Sequence, residues 1–318
     1  MSSLPIPPSL STDQLLYRAM EALAEGQQET DDQHVISQTL LRRFAGRQGA
    51  EYNQLCYLNI KYPKKVYLGG SDKCGKVKNF VRCGSDSLEM VWKRVEDQLP
   101  HVFQAVDDGV AISSPECIDR IKNVIALHFT RSLQTAKVSQ RAVTETEEQL
   151  RLKYSSDPAL LREYFRYKHR LEPAGPDALE VALEEMIRQS GERVYDGSFF
   201  RARIEDMYRR VRESFSPLSV RIATPSQGEF LIGDVPALTV RWDMKSSGVL
   251  GGVALAQANT VILPLGPRAL VALGKKNELL TLSKDQVEEA NRRQIHAAQN
   301  YVYFRPGSGL EKTVRAHI

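Results

Sequence analysis

The segment DDQHVISQTLLRRF, residues 31–44, carries the first side chains that could do chemistry. His34 stands just ahead of a short amphipathic stretch in which Leu41 and Phe44 can face the core. A neutral imidazole can accept a proton or bind a metal ion, so this position predicts a base or a metal ligand. A histidine half-buried against a backbone carbonyl fits the same pattern, and the sequence leaves both interpretations open.

Asp234, in the stretch FLIGDVPA, supplies the carboxylate best placed to act with His34. An acidic residue that follows an apolar strand is typical of a functional strand end. A carboxylate that accepts from one imidazole nitrogen fixes the tautomer and leaves the other nitrogen for a proton or a metal. We therefore expect His34 and Asp234 to meet across the fold, with Gln38 beside them. A turn-forming aspartate that bonds its own backbone is at least as common.

Arg131 ends the apolar stretch VIALHFTR, so one face of its helix is predicted to be buried. A buried guanidinium must find a carboxylate, a carbonyl or an anionic ligand. A structural Arg–Asp pair is favoured over a ligand contact, since buried charges in proteins are usually paired. The candidate catalytic residues are therefore His34, Asp234, Arg131 and Gln38. The sequence identifies neither a metal nor a cofactor.

Residues 61–82, KYPKKVYLGGSDKCGKVKNFVR, form a strongly basic stretch. It contains seven Lys or Arg against one acid, with Tyr62, Tyr67 and Phe80 interleaved. A basic β-ribbon of this kind can follow a phosphate backbone and stack on bases. Lysines on a solvated edge strand also prevent aggregation, and that alternative stays open. The candidate nucleic-acid contacts are Lys64, Lys65, Lys76 and Lys78.

The patterns around these residues predict an α+β protein. Short β-like runs separated by turn residues indicate a small meander within residues 52–82, and helical periodicity continues from about 85 to 214. After Pro217 the period returns to two, apart from the helix SKDQVEEANRRQIHAAQ. We therefore expect a helical middle region packed on an antiparallel or mixed C-terminal sheet.

The predicted organisation is an N-terminal arm and helix, residues 1–30, followed by a single α+β domain, residues 31–318. Proline and serine dominate the arm, and an amphipathic stretch follows it. The domain is predicted to contain the first motif and the basic ribbon in 31–84, a helical region in 85–215, and a β-rich region with one helix in 216–318.

Composition and missing motifs exclude several classes of protein. The formal net charge of +4 over 318 residues does not by itself indicate a nucleic-acid-binding protein. The four cysteines are too widely spaced for a close zinc-binding or redox pair. The sequence lacks the phosphate-binding loop, the dinucleotide-binding motif, the zinc-protease motif and the Gly-x-Ser-x-Gly elbow. With no signal peptide and no long apolar run, we expect a cytoplasmic protein without a membrane partner.

Five stretches together resemble a family of unknown function, domain of unknown function 4238 (DUF4238). They are QHVISQTLLRRF, IALHFTRS, FLIGDVPALTV, ILPLGPRALVALG and VEEANRRQIHAAQNYVY. The resemblance marks, residue by residue, His34, Gln38, Leu41, Phe44, Arg131, Asp234 and Pro236. Ser37 stands where the family usually has proline, and Gly233 where it usually has a small hydroxyl residue. The resemblance implies a shared fold and a site location, but no activity, because the family has no assigned reaction.

Two functions from different classes fit these residues. The first is a hydrolytic or effector-like enzyme acting on nucleic acid or a nucleotide, with His34 as base or metal ligand and Asp234 as its partner. The second is a non-enzymatic binding or scaffolding module, in which the polar residues form a structural network and the basic ribbon contacts nucleic acid or another partner. A phosphate-binding ribbon should lose affinity steeply as salt rises, whereas an apolar protein contact should not. The oligomeric state is not predicted.

Overall fold

The fold was obtained as a computed structural model. It describes residues 32–48, 51–78, 80, 86–195, 198–240, 258 and 260–318. The predicted N-terminal arm and helix lie outside the described residues. The chain divides into two compact units. Of the described residues, the smaller unit contains 86–88, 142–195 and 198–205, and the larger unit contains the rest.

Strands dominate both ends of the described chain, and helices dominate its middle, so the predicted α+β class is confirmed. The first elements are β1 Asp32–His34, α1 Gln38–Arg42, β2 Gly46–Gln48, β3 Glu51–Asn59, β4 Val66–Gly70 and β5 Lys76–Lys78. The middle elements are α2 Asp86–Glu96, α3 Leu99–Asp107, a 3-10 turn Ala111–Ser113, α4 Pro115–Thr130, α5 Leu133–Ser155, α6 Pro158–His169, α7 Pro176–Tyr195 and α8 Ser198–Phe215. The last elements are β6 Ser219–Pro225, β7 Ile232–Gly233, β8 Leu238–Val240, β9 Thr260–Gly266, β10 Ala269–Gly274, β11 Glu278–Leu282, α9 Lys284–Ala297, β12 Tyr301–Phe304 and α10 Leu310–Ala316.

The C-terminal sheet of the larger unit has the strand order β11-β6-β10-β9-β8. Its pairs are antiparallel except for the parallel pair β11 and β6, so the predicted mixed sheet is confirmed. Every residue of β9, TVILPLG, is buried, as its continuous apolar sequence predicts for a strand covered on both faces. The edge strand β11 alternates in burial, which is typical of a strand with one solvated face.

Helix α4 covers part of this sheet, packing against β6 and β9. It begins where the Ser114 hydroxyl accepts from the Cys117 N–H, and Pro115 fits the first turn because it needs no N–H partner there. It ends at Arg131, whose backbone N–H bonds Leu127. The helical middle therefore contacts the C-terminal sheet through α4, and the same helix delivers Arg131 to its end.

A second sheet of the larger unit has the order β2-β3-β12-β7, and β4 pairs with β3 beside it. Leu58, Val302 and Phe304 on one face pack against Ile295 of α9 and Val314 of α10. Because successive strand residues point to opposite faces, Tyr57 of β3 and Tyr301 and Tyr303 of β12 lie on the other face. The two helices therefore cover one side of this sheet and leave the tyrosine side for other contacts.

The predicted meander within residues 52–82 is correct for β3 and β4 and wrong for β5. β3 and β4 form an antiparallel hairpin, but β5 pairs antiparallel with β1. The chain changes direction at Gly75, whose φ of +68° suits glycine. A Cβ at Gly75 would lie 2.9 Å from Leu41 of α1, so the glycine also permits close packing. The predicted basic ribbon is therefore divided between two sheets.

The smaller unit is helical in its described part. α6 packs against α7 around a small apolar core of Leu161, Ala182, Leu183 and Ile187. Asp157 caps α6 by accepting from the Leu160 N–H. Across the whole described chain, none of the helices combines the length and apolar character needed to cross a membrane.

Candidate functional site

His34 is the last residue of β1 and lies opposite Lys76 of β5. Its imidazole is half-buried, and the ring hydrogen-bonds the backbone of Asp72. Burial, Lys76 and Arg131 lower the pKa of His34, while Glu96 and the Asp72 backbone oppose that shift. The ring is therefore neutral at neutral pH. Its Nε2 is buried and has no hydrogen-bond partner in the part of the chain that is described.

Arg131 is 4% exposed and forms an ion pair with Glu96 of α2. Its guanidinium also lies over the Trp92 ring, 5.0 Å from the ring centre. Burial raises the pKa of Glu96, but Arg131, His128 and the Ser37 hydroxyl outweigh this and lower it overall. The predicted structural ion pair is therefore present, although its acid is a glutamate rather than the aspartate expected from the sequence.

His128, which the sequence did not single out, joins this cluster from α4. It is fully buried, its Nδ1 bonds the Val124 carbonyl at 2.9 Å, and its Nε2 accepts from the Ser37 N–H at 3.3 Å. These two bonds require the neutral tautomer with the proton on Nδ1. Burial, assisted by Arg131, lowers the pKa of His128 to about 4. His128 therefore fixes the start of α1 to α4 and is a structural residue.

Asp234 is also enclosed by backbone donors. It is 2% exposed and accepts from the N–H groups of Gln299 at 2.7 Å, Asn300 at 2.8 Å and Tyr301 at 3.0 Å. Burial raises the pKa of Asp234 overall, and the hydrogen bonds from these N–H groups oppose this shift only in part. The carboxylate thereby fixes the connection between α9 and β12. This is the turn-fixing role that the sequence left open, although the partner backbone is distant in the chain.

Tyr303 connects the surroundings of Asp234 to those of His34. Burial and the nearby Asp234 carboxylate raise the pKa of Tyr303. Its hydroxyl accepts from the Gly75 N–H at 3.1 Å, and the Gly75 carbonyl accepts from the Val35 N–H at 2.8 Å. The charged residues that act on the His34 ring are Lys76, Arg131 and Glu96. A direct His34–Asp234 pair stays a prediction.

The four predicted nucleic-acid contacts lie on two elements. Lys64 and Lys65 are exposed in the turn before β4, whereas Lys76 and Lys78 lie on β5 opposite His34 and Asp32. Arg315 of α10 donates to the backbone carbonyls of Pro63 and Lys64. The turn that presents Lys64 and Lys65 is therefore held in place by α10.

A row of aromatic rings crosses the hairpin next to these lysines. In the strand register Tyr303 lies opposite Tyr57, and Tyr57 lies opposite Tyr67. The rings of Tyr57 and Tyr67 stack with centres 5.4 Å apart and planes at 20°. Lys65 Nζ lies 5.0 Å from the centre of the Tyr67 ring. Since Tyr67 is 40% exposed, this end of the row is open to solvent.

A polar depression of about 340 Å³ lies at the opposite end of the hairpin. Its lining residues are Gln38, Arg42, Asn53, Gly70, Ser71 and Asp72. Asn53 has a φ of +64°, a left-handed conformation that is uncommon for a residue other than glycine. A Cβ at Gly70 would lie 2.3 Å from Oδ1 of Asp72, so a side chain at this position would displace the exposed carboxylate from over the strand end. The structure thus places the predicted Gln38 in a cavity, next to the Asp72 backbone that bonds His34.

One family matches most of the chain. Its description is protein of unknown function (DUF4238), and the match covers residues 32–308. The chain belongs to the DUF4238 family. No curated protein and no solved structure was found to match it. Family membership therefore confirms the resemblance drawn from the sequence and assigns no reaction.

Sequence reasoning about this DUF4238 chain missed the residues that complete the depression. Arg42 and Asp72 were visible as charges but matched no motif, and Asn53 was not singled out. The usable signals were the Gly-Gly-Ser-Asp turn and an asparagine inside a β-like run, since asparagine tolerates the left-handed conformation. Within the described ranges, no group of three or more His, Cys, Asp or Glu is arranged to hold a metal ion.

Proposed function

We propose that this protein is a non-enzymatic module that binds single-stranded nucleic acid through the β3–β4 hairpin and the turn before β4. The observation that carries the proposal is the stack of the half-buried Tyr57 on the exposed Tyr67, with Lys65 next to the Tyr67 ring. Aromatic rings offer stacking surfaces to bases, and each base stacked is worth about 1–3 kcal/mol. A lysine beside the stack can contact the phosphate of the same nucleotide.

The turn adds further positive charge and a further ring in a fixed position. Tyr62 is 76% exposed, and Lys64 and Lys65 are exposed beside it. Arg315 holds the turn by its carbonyls, so little backbone order has to be gained when a strand binds. In the described chain β4 pairs only with β3, so its outer edge offers access to the ring row.

The buried polar residues support a binding module over an enzyme. The side chains of His128, Arg131 and Asp234 are each bonded to other parts of the protein. A catalytic group needs a free atom facing the substrate, and these three side chains are at most 4% exposed. The alternative that lysines only protect an edge strand does not account for the stacked, partly exposed rings.

The proposal is tested by fluorescence anisotropy of a labelled single-stranded oligonucleotide at increasing salt. The variant Lys64→Glu/Lys65→Glu is compared with Lys275→Glu/Lys276→Glu, which makes the same charge change in the exposed turn before β11. We expect the first variant to weaken binding at least tenfold and to flatten the salt dependence, because each lost phosphate contact reduces the slope by about 0.7. Equal binding by both variants would overturn the role of the hairpin.

A second pair of variants tests the stacking itself. Tyr67→Ala removes the exposed ring, whereas Tyr67→Phe keeps a ring that can stack and hold Lys65 above it. We expect Tyr67→Ala to weaken binding by about tenfold or more and Tyr67→Phe to bind nearly as wild type. If the alanine variant binds as well as the phenylalanine variant, the contact is made by charge alone, and the proposal that bases stack on Tyr67 is wrong.

The hydrolytic alternative is favoured by one observation, the neutral half-buried His34 whose Nε2 has no partner in the described chain. In that reaction His34 accepts a proton through Nε2 from the water that attacks a phosphodiester, and the hydrogen bond to the Asp72 backbone orients the ring. Incubation of a labelled RNA oligonucleotide with wild type and His34→Gln, followed by gel analysis, tests it. Cleavage lost in the variant supports the enzyme, whereas equal or absent cleavage in both rejects it.

A further inference from the structure

The depression at the end of the hairpin has the chemistry of a nucleobase site. The amides of Gln38 and Asn53 each combine a carbonyl acceptor with an NH₂ donor, and Asp72 adds an acceptor only. Arg42 adds a cation with several N–H donors. In a nucleotide, the base edge carries donors and acceptors side by side, and the phosphate on the ribose carries negative charge. The lining therefore matches the two parts of a nucleotide.

The depression is large enough for this ligand and is shaped by specific backbone features. Its volume of about 340 Å³ lies within the range of small-molecule sites. Asn53 reaches it from a left-handed backbone conformation inside β3, and such conformations concentrate at binding sites. Gly70 provides the space in which the Asp72 carboxylate lies. Two strand positions are thus adapted to place an amide and a carboxylate at the same cavity.

The position of the depression relates it to the proposed strand-binding surface. β4 runs from Val66, after the lysine turn, to Gly70 at the depression, which is about 14 Å at the usual rise per residue. A nucleic-acid strand lying along the hairpin would therefore bring a nearby nucleotide to the cavity. Lys76, opposite His34, adds positive charge close to the Asp72 backbone.

We infer that this depression binds a nucleotide whose base carries an exocyclic amino group, with Asp72 accepting from that amino group and Arg42 contacting the phosphate. An amide pairs well with the donor and acceptor on the adenine edge, and a carboxylate accepts from a base amino group. A base with a carbonyl in that place would meet the Asp72 oxygen with another acceptor and be rejected. The inference rests on the proposed function for the source of the nucleotide, since a free mononucleotide offers the same chemistry.

The decisive ligands are adenosine monophosphate and inosine monophosphate. At the base, adenine has an amino group and an N1 acceptor where hypoxanthine has a carbonyl and an N1–H donor. Isothermal titration calorimetry with each ligand should show adenosine monophosphate binding about tenfold tighter or more. Asp72→Asn should remove or reverse this preference, because an asparagine NH₂ can donate to the inosine carbonyl. Asp108→Asn, an exposed aspartate after α3, is the matched control and should keep the wild-type preference.

Equal affinity for the two nucleotides, no binding of either, or a preference unchanged in Asp72→Asn would overturn the inference. The Lys64→Glu/Lys65→Glu variant separates this result from the proposed function. It should lose oligonucleotide binding and keep the preference for adenosine monophosphate. If the protein binds the oligonucleotide but does not discriminate between the two nucleotides, the proposed function of the hairpin is retained and nucleotide binding in the depression is rejected. Discrimination without strand binding would reject the hairpin function and identify a free nucleotide as the ligand.

Discussion

Asp234 and Asp72 occupy similar local settings and have opposite environments. Each is an acidic residue in the bend or turn that follows a strand: Asp234 comes directly after β7, and Asp72 comes two residues after β4. Asp234 is buried and accepts from three backbone N–H groups, whereas Asp72 is exposed and lines the polar depression. The same difference in exposure distinguishes the buried cluster of Ser37, His128 and Arg131 from the exposed β3–β4 hairpin. An acid after a strand is thus structural where distant backbone donors surround it, and available where they do not.

The largest difference in stability is expected between the variants that remove each of these two carboxylates in turn. Asp234→Ala should lower the free energy of unfolding by about 4 kcal/mol, because three N–H groups lose their acceptor. Asp72→Ala should change it by less than about 0.5 kcal/mol, as expected for an exposed position. Urea unfolding followed by circular dichroism measures both. Similar values for the two variants would end the distinction between a structural and an available acid.

The Arg131–Glu96 pair should give the next largest effect. Arg131→Met keeps much of the packing on Trp92 but leaves Glu96 without its cation, so we expect a loss of about 3 kcal/mol. Adding Glu96→Gln to this variant should restore part of the loss, since the unpaired charge is removed. Unfolding measurements on the two single variants and the double variant complete the cycle. Strictly additive losses would show that the two side chains are not coupled.

Acid should weaken the buried cluster through His128. Its pKa of about 4 in the folded protein lies below its value of 6.5 when unfolded, so the unfolded state binds the proton first. The stabilisation is complete above pH 6.5 and is lost as the pH falls toward 4. Between pH 7.5 and 5 we expect a decrease of about 2 kcal/mol. His128→Asn, compared over the same pH range, should show a smaller decrease, and an equal decrease would assign the effect to other groups.

The smallest change in stability is expected at Asn53, which lines the polar depression. Its φ of +64° costs little for glycine and about 1 kcal/mol for alanine. Asn53→Gly should therefore match or slightly exceed wild-type stability, while Asn53→Ala should lose about 1 kcal/mol. Thermal unfolding distinguishes the two. If glycine is no better than alanine, the left-handed backbone is not present in solution.

Periodicity was sufficient to predict the class of fold and several of its elements. The continuous apolar run of β9 and the Ser-Pro-Glu start of α4 are local signals, and both elements formed where the sequence indicated them. The pairing of β1 with β5 was not predictable in this way. It joins two strands of three residues each, and its position depends on the turn at Gly75 and on Tyr303 from the far end of the chain.

The candidate site was predictable by residue type but not by environment. The sequence selected His34, Gln38 and Arg131 as candidate catalytic residues, and the structure gives them different surroundings. A sequence shows that Arg131 needs a partner, but the identity of Glu96 depends on how α2 approaches α4. The tyrosine row was not predictable for a similar reason, because its register adds the distant strand β12 to the consecutive strands β3 and β4.

The pairing of β3 with β12 also affects the order in which parts of the protein can fold. Lys61 bonds Asn300, 239 positions later, and β3 pairs with β12 at the same end of the hairpin. During synthesis the hairpin residues leave the ribosome long before their partners exist, and contacts of such long range form slowly because a large loop must close first. The surface proposed to bind nucleic acid is therefore completed only after Asn300 and β12 have been synthesised.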